Sequence, residues 1–345
     1  MEAVTSNDQR RIGWGILSTG HMATVIAQDL ALLSDEAALV AVGSRELSKA
    51  EDFAATYGVP AAYGSYAELA ADPAVDVVYI ASPHNDHYPS AKLCLEAGKS
   101  VLVEKPLTVT DAEAEELVAL AQDRDLFLME ALWSRTNPLL RKAAELVGSG
   151  ELGPVKHVAA SFGFAFDGDD SHRLLNPDLA GGAILDLGVY PVHGVNLFLG
   201  EPDAVLGYGS LASTGVDAHA AAVLSYPATD QRPAATATVL CTLETTPPTR
   251  LEVFCTGGRV VIDFFIKPES IEVFRGTGHD VEPEVMITQL PGLGYTFQLQ
   301  EVNRALRAGE NESPLVPWAD TLATMRTLSR WRTAVEAAAA ADRES

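Results

Sequence analysis

The chain has 345 residues, room for two domains of ordinary size. Hydrophobic residues make up 47% and charged residues 21%, a globular balance that excludes a disordered chain and permits a sizeable core. Acidic residues outnumber basic ones 47 to 24, and a net charge of −23 argues against nucleic acid or anionic membrane surfaces as partners. Three cysteines, Cys94, Cys241 and Cys255, are odd in number and far apart, so no disulfide framework or CxxC metal site is expected. They read as reduced core residues of a cytoplasmic protein. The polar stretch Met1–Arg11 lacks the apolar centre of a signal peptide, and no run reaches the ~18 apolar residues a bilayer span needs. The Ala-rich end, Ala334–Ala341, reads as a fraying helix.

In chain order, Ile12–Ser18 is a short apolar strand, followed by a helix over Met22–Leu33. Ala38–Gly43 is a strand, Ser48–Tyr57 a helix and Tyr66–Ala71 a short helix. Val75–Ala81 is a buried strand; Tyr88–Ala97 is a helix stopped by Gly98. Ser100–Val103 is a strand, Thr110 caps a helix reaching Arg124, and Leu126–Met129 is a strand. Short buried strands alternating with helices imply a parallel sheet covered on both faces. After Ala131 the character changes. Helices over Asn137–Gly148 and about Ala183–Leu199 flank a long strand, Val155–Phe166. Strands follow at Ala204–Thr214, Ala218–Tyr226, Ala235–Leu243, Arg250–Cys255, Arg259–Phe265 and Ile271–Arg275. Their short turns imply a mostly antiparallel sheet. Helices near Phe297–Ala308 and Trp318–Ala341 close the chain. The expected architecture is an α/β Rossmann domain over 1–131 and an α+β domain with a large, open, mostly antiparallel sheet over 132–345, for substrate binding and oligomerisation.

The first strand runs into Ser18-Thr19-Gly20-His21-Met22-Ala23. The dinucleotide fingerprint G-x-G-x-x-G/A is matched at Gly20 and Ala23 but has Ser18 in its first place. Gly20 would let the backbone approach a pyrophosphate at the helix N-terminus; a plain tight turn explains the same residues. The second strand ends at Ser44-Arg45, with Lys49 close behind, where an NAD-binding domain usually carries Asp or Glu. A hydroxyl and two cations suit a 2′-phosphate, hence NADP rather than NAD. An ordinary surface Arg is the plain alternative. His21, His84 and His87 lie in or near two loops, without the spacing of further ligands that a metal site would need.

Several stretches carry a family resemblance: Ser82-Pro83-His84-Asn85-Asp86-His87, Ala97-Gly98-Lys99 and Glu104-Lys105-Pro106. With them the chain resembles the glucose–fructose oxidoreductase/inositol dehydrogenase family. Trp14-Gly15-Ile16, Tyr63-Gly64-Ser65-Tyr66, the run from Met129 to Arg135 and the run from Gly181 to Tyr190 are most similar to its dimeric dihydrodiol dehydrogenase and NADP-dependent aldose dehydrogenase branch. That branch shares Ser18, and the similarity spans about Arg11 to Arg330.

The resemblance implies a Rossmann domain, a second domain on an open sheet, and a nicotinamide site between them. It implies cofactor contacts from Ser18, Thr19, Gly20, His21, Met22, Ser44, Arg45, Ser82, His84, Asn85, His87, Glu104 and Lys105. Lys105 and Tyr190 take catalytic roles, with Asp186, Trp133 and Arg135 lining the site. Asp186 and Tyr190 stand i and i+4 on one expected helix and so face the same way. The inositol branch has His at the Tyr190 position and Asp three residues on; here that later residue is His193, counted with Trp133 and Arg135 among the substrate-binding residues, its exact role open. The expected activity is NADP-dependent hydride transfer at a carbinol or hemiacetal carbon: an aldopyranose first, a trans-dihydrodiol second, reduction of an anhydroketosugar third. The competing class is a non-catalytic, cofactor-bound regulator, which has no need of both Lys105 and Tyr190. Either of these two residues could accept the proton. A homodimer through the C-terminal sheet is expected, with a small-molecule substrate and neither nucleic acid nor membrane as partner.

Overall fold

The computed structural model describes residues 10–230, 232–278 and 280–344; the stretch from Met1 to Gln9 lies outside them. The chain forms two compact units. The first holds residues up to Leu107, then Ala112–Ala131 and Leu290–Trp318. The second holds Thr108–Asp111, Leu132–Gln289 and the residues from Ala319 on.

The first unit alternates β1 (Ile12–Leu17), α1 (His21–Ala31), β2 (Ala37–Gly43), α2 (Leu47–Tyr57), β3 (Ala61–Tyr63), α3 (Tyr66–Ala71), β4 (Val77–Ile80), α4 (His84–Glu96), β5 (Ser100–Val103), α5 (Asp111–Arg124) and β6 (Leu128–Glu130). The strands form one parallel sheet in the order β3-β2-β1-β4-β5-β6, the doubly wound dinucleotide-binding order. Every residue of β1, β4 and β5 is buried, as strands covered on both faces require. In such a sheet ligands gather at the carboxyl ends of the strands, where Ser18, Ser44, Ser82 and Lys105 stand.

The second unit carries α6 (Pro138–Gly148), β7 (Val155–Gly163), a π-turn at Ile184–Gly188 leading into α7 (Val189–Leu199), and strands β8 (Ala204–Leu211), β9 (Asp217–Tyr226), β10 (Ala235–Thr242), β11 (Arg250–Cys255), β12 (Gly258–Asp263), β13 (Ser270–Arg275) and β14 (Glu284–Ile287). The eight strands run in the order β14-β13-β12-β11-β7-β10-β9-β8. Among the described residues of this sheet, only β7 and β10 pair in parallel. The buried face packs on α7, whose residues from Val189 to Asn196 are all buried. Trp331, fully buried on the last helix, presses its ring to 3.0 Å from where a Cβ on Gly188 would stand. The other face stays open: Leu206 is 72% exposed, Tyr208 58% and Val223 44%. The stretch Pro177–Leu199 is long and apolar enough to cross a bilayer, and its most apolar 18 residues are 89% buried inside the protein. Its apolarity is that of a core helix lying under a sheet.

Two helices remain, α8 (Thr296–Ala308) and α9 (Trp318–Glu344). Residues 290–318, expected with the second domain, join the first unit. The reason is non-local polar pairing. The Asp29 carboxylate on α1 accepts from Leu293 N and Tyr295 N at 2.7 Å each. Trp14 Nε1 donates to Asn303 Oδ1 at 3.0 Å, and Trp318 Nε1 donates to the Leu128 carbonyl at 2.9 Å.

Candidate active site

In the first unit, Ser18 occupies the fingerprint's first glycine place with φ +87°. Its N–H donates to the Gly43 carbonyl at 2.8 Å, which ties the β1–α1 turn to the end of β2. Gly20 caps α1 with no side-chain cap, and no acid stands in that helix's first turn. Gly20 has φ −77°, so its backbone does not demand glycine. A Cβ there would come no closer to protein than 3.8 Å, at Ser18 Oγ. The fold leaves this place open beside the free N–H groups of a helix start, which is the cradle a phosphate needs. These residues therefore fit a dinucleotide. Thr19 and Met22 are half-buried, and His21 is exposed beside them.

At the end of β2, Ser44 is buried and its Oγ accepts from Glu46 N at 3.3 Å. Arg45 is exposed, while Lys49 pairs with Glu46 at 2.7 Å. Of the two expected cations, Lys49 is thus partly neutralised. After β4, α4 begins at His84 with Pro83 as its N-cap, so His84, Asn85 and His87 stand in a helical first turn rather than a loop. Ser82 Oγ is buried without a hydrogen-bond partner. His87 is 1% exposed, with Nδ1 2.8 Å from the Pro106 carbonyl and Nε2 3.0 Å from the Ser82 carbonyl. Burial, aided by His84, pushes His87 down to about 3, so the ring is neutral. It braces the Lys105–Pro106 corner from within instead of opening to a ligand. Glu104 is buried and accepts from the Tyr79 hydroxyl and from Lys105 N. Burial raises its carboxyl against those two contacts. Lys105 itself is half-buried.

In the second unit a short 3-10 turn, Trp133–Thr136, faces α7. Trp133 Nε1 donates to the Tyr190 hydroxyl oxygen at 2.9 Å. Ser134 Oγ lies 2.8 Å from His193 Nε2. Phe162 on β7 and His193 both meet the Tyr190 ring edge-on, at 5.6 and 6.1 Å between centroids. His193 is fully buried, and burial together with Arg135 keeps it neutral. It stands behind Tyr190, not at a surface a substrate would reach. Arg135 is buried and forms an ion pair with Asp320 on α9. Asp186, 4% exposed, accepts from Arg173 Nη1 at 2.8 Å.

Asp186 lies in the π-turn and Tyr190 in α7, so the expected i, i+4 spacing on one regular helix does not hold. A π-turn carries an extra residue, a distortion common at functional sites. Trp133, Tyr190 and His193 are brought together, while Asp186 is joined instead to Arg173. Arg173, Phe162, Asp320 and Tyr79 were not singled out from sequence, because each meets its partner through tertiary packing and no local motif marks it. Among the described residues no group of three or more His, Cys, Asp or Glu side chains gathers as a metal site.

Comparisons with known proteins agree with this architecture. Residues 12–132 match the family model for an oxidoreductase family with an NAD-binding Rossmann fold, and residues 140–261 match the GFO/IDH/MocA C-terminal domain. The chain is 36% identical to the mouse (Mus musculus) trans-1,2-dihydrobenzene-1,2-diol dehydrogenase, over 93% of this chain and 96% of that protein. It is 36% identical to a D-xylose 1-dehydrogenase (NADP(+)) of Hypocrea jecorina, over 94% of this chain and 92% of that one. The crystal structure of an aldose-aldose oxidoreductase from Caulobacter crescentus superposes with a TM-score of 0.83 at 28% identity, covering 97% of this chain and 99% of that chain.

Proposed function

This chain belongs to the GFO/IDH/MocA oxidoreductase family, and from that premise we propose that it is an NADP-dependent dehydrogenase acting on a carbinol or hemiacetal carbon of a neutral, hydroxyl-rich substrate. An aldose oxidised at its anomeric carbon is the first substrate class and a trans-dihydrodiol the second, in line with the names of its relatives. The single observation that carries the reading is the Trp133–Tyr190 hydrogen bond. It aims an N–H at the oxygen on which charge gathers when Tyr190 is without its proton.

The cofactor, when bound, supplies the hydride chemistry. The chain's own residues hold it and handle the proton. Ser18, Thr19, Gly20, His21 and Met22 would receive the pyrophosphate, with the open place at Gly20 as the point of approach. Ser44 and Arg45 would take the 2′-phosphate, with Lys49 supporting once released from Glu46. Ser82, His84, Asn85, Glu104 and Lys105 would hold the remainder, and His87 would brace that wall. Tyr190 takes the hydroxyl proton of the alcohol, and Lys105 serves as a donor to the substrate oxygen. Asp186, aligned by Arg173, accepts from a substrate hydroxyl, and Trp133 offers an apolar ring edge.

We place the protein in the cytoplasm, a reading that its three buried, unpaired cysteines support. We also read it as a homodimer through the open face of the eight-stranded sheet. That face holds a groove of about 600 Å³ lined by Leu206, Tyr208, Val223, Leu240 and neighbours, too apolar for a surface that stays in water. The test is NADPH absorbance with D-xylose, D-glucose and a trans-dihydrodiol, each with NADP and NAD. Turnover with NADP preferred supports the reading. Cofactor binding without turnover of any of them would favour the regulator, and preference for a 2-hydroxy acid would refute the substrate class.

A further inference from the structure

We propose that Asp217 is a positioning residue for this reaction: its carboxylate holds the Gly182–Ile184 corner and thereby sets the π-turn that carries Asp186 and leads to Tyr190. The inference rests on the site reading above. Asp217 opens β9, immediately after a hairpin closed by Ala212 N to the Val216 carbonyl and Gly215 N to the Ala212 carbonyl. Its place is therefore fixed by the sheet. One oxygen accepts from Ile184 N at 2.6 Å, satisfying a helix-start N–H that has no partner of its own. The other packs on Gly182, where an added Cβ would stand 2.5 Å from it. Gly182 has φ +121°, so conformation and space both demand glycine there. The Gly182 carbonyl in turn accepts from Asp186 N at 3.2 Å. Three links thus join the Asp217 carboxylate to the backbone of Asp186.

At the far end of the turn Gly188 is wedged against Trp331 and Cys241. A turn pinned at both ends can keep its extra residue; with one end released, it can relax towards the regular α register and rotate Asp186. The groups facing Asp217 are Arg332 and Glu336 on α9 and the Cys241 thiol on β10. Asp217, Arg332 and Glu336 also line a cavity of about 210 Å³, which gives water and protons a path to the carboxylate. Burial raises Asp217 to about 6, against the Ile184 N–H and Arg332. Its charge therefore changes in mildly acidic solution.

The test uses the full chain with NADP and D-xylose, following kcat and KM from about pH 5 to about pH 8.5. Native kcat is expected to fall as the pH drops through about 6, where Asp217 gains its proton. Asp217→Asn keeps an acceptor but loses the charge. It is expected to lower kcat ~10-fold at the upper end, leave KM within ~3-fold and abolish that limb of the profile. Asp217→Leu, without an acceptor, falls lower than Asn. Crystal structures decide independently of substrate: loss of the π-turn in Asp217→Leu supports the proposal, and its retention with Asp186 unmoved overturns it. Native kcat and an unchanged pH profile in Asp217→Asn also overturn it. If Tyr190→Phe is inactive while Asp217→Asn is native, only this inference fails; if Tyr190→Phe is fully active, the site reading fails first.

Discussion

The two sheets solve opposite problems. The six-stranded sheet is parallel and covered on both faces, so its chemistry stands at the strand ends, where turns and helix starts expose backbone N–H groups. The eight-stranded sheet covers one face with α7 and Trp331 and leaves the other open. The candidate site residue Tyr190 rides on the covering helix, and the other face of the sheet stays bare. A side chain in a strand thus means something different in each unit, and substitution can measure the difference.

The largest contrast is between Ile80 of β4, fully buried, and Leu206 of β8, 72% exposed. Ile80→Ala should cost ~2–5 kcal/mol in denaturant unfolding through lost burial and a cavity. Leu206→Ala should cost under ~0.5 kcal/mol in a dilute monomer and act on assembly instead. Equal losses would break the comparison.

Asp217 gives the next effect, because a raised carboxyl works against the fold once ionised. Its stabilisation is complete below the ordinary value of 3.8 and is lost as pH rises through about 6. The shift corresponds to ~3 kcal/mol, so native protein should lose about that much relative to Asp217→Asn between the two values. Thermal unfolding of both across that range checks it; parallel curves would contradict it.

Arg45→Asp should weaken NADP by ~10- to 150-fold, the size of a charge-assisted contact, and NAD far less. Calorimetric titration of both cofactors decides; equal weakening would remove Arg45 from the 2′-phosphate site. The smallest effect belongs to Ser18. A non-glycine residue at φ +87° is strained by ~1–3 kcal/mol, and glycine's added chain entropy offsets ~0.5–1. Ser18→Gly should raise the melting temperature slightly; a fall would show that Ser18 makes a contact worth more than its strain.

The alternation of β1, β2, β4, β5 and β6 with their helices is legible because buried parallel strands are short apolar runs. β3, three residues long, gave too little pattern, and β14 is a largely exposed edge strand without an apolar face. The start of α4 is hidden in the sequence because Pro83 and the polar residues after it read as loop, yet Pro83 is the cap and the helix begins at His84. The motif residues of the site were visible, but their partners were not. Trp133 meets Tyr190 across 57 positions and Asp29 meets Tyr295 across 266. The π-turn depends on Asp217 at one end and Trp331 at the other, neither near it in sequence.

In the proposed reaction Tyr190 moves the proton of an NADP-linked oxidation. This role is tested most directly by pH–rate profiles of native protein, Tyr190→Phe and Lys105→Met, with NADP binding measured alongside. Tyr190→Phe is expected to lose at least ~100-fold in kcat with cofactor affinity intact, the usual scale of acid–base catalysis. Near-native activity in Tyr190→Phe with an inactive Lys105→Met would contradict it and make Lys105 the proton acceptor.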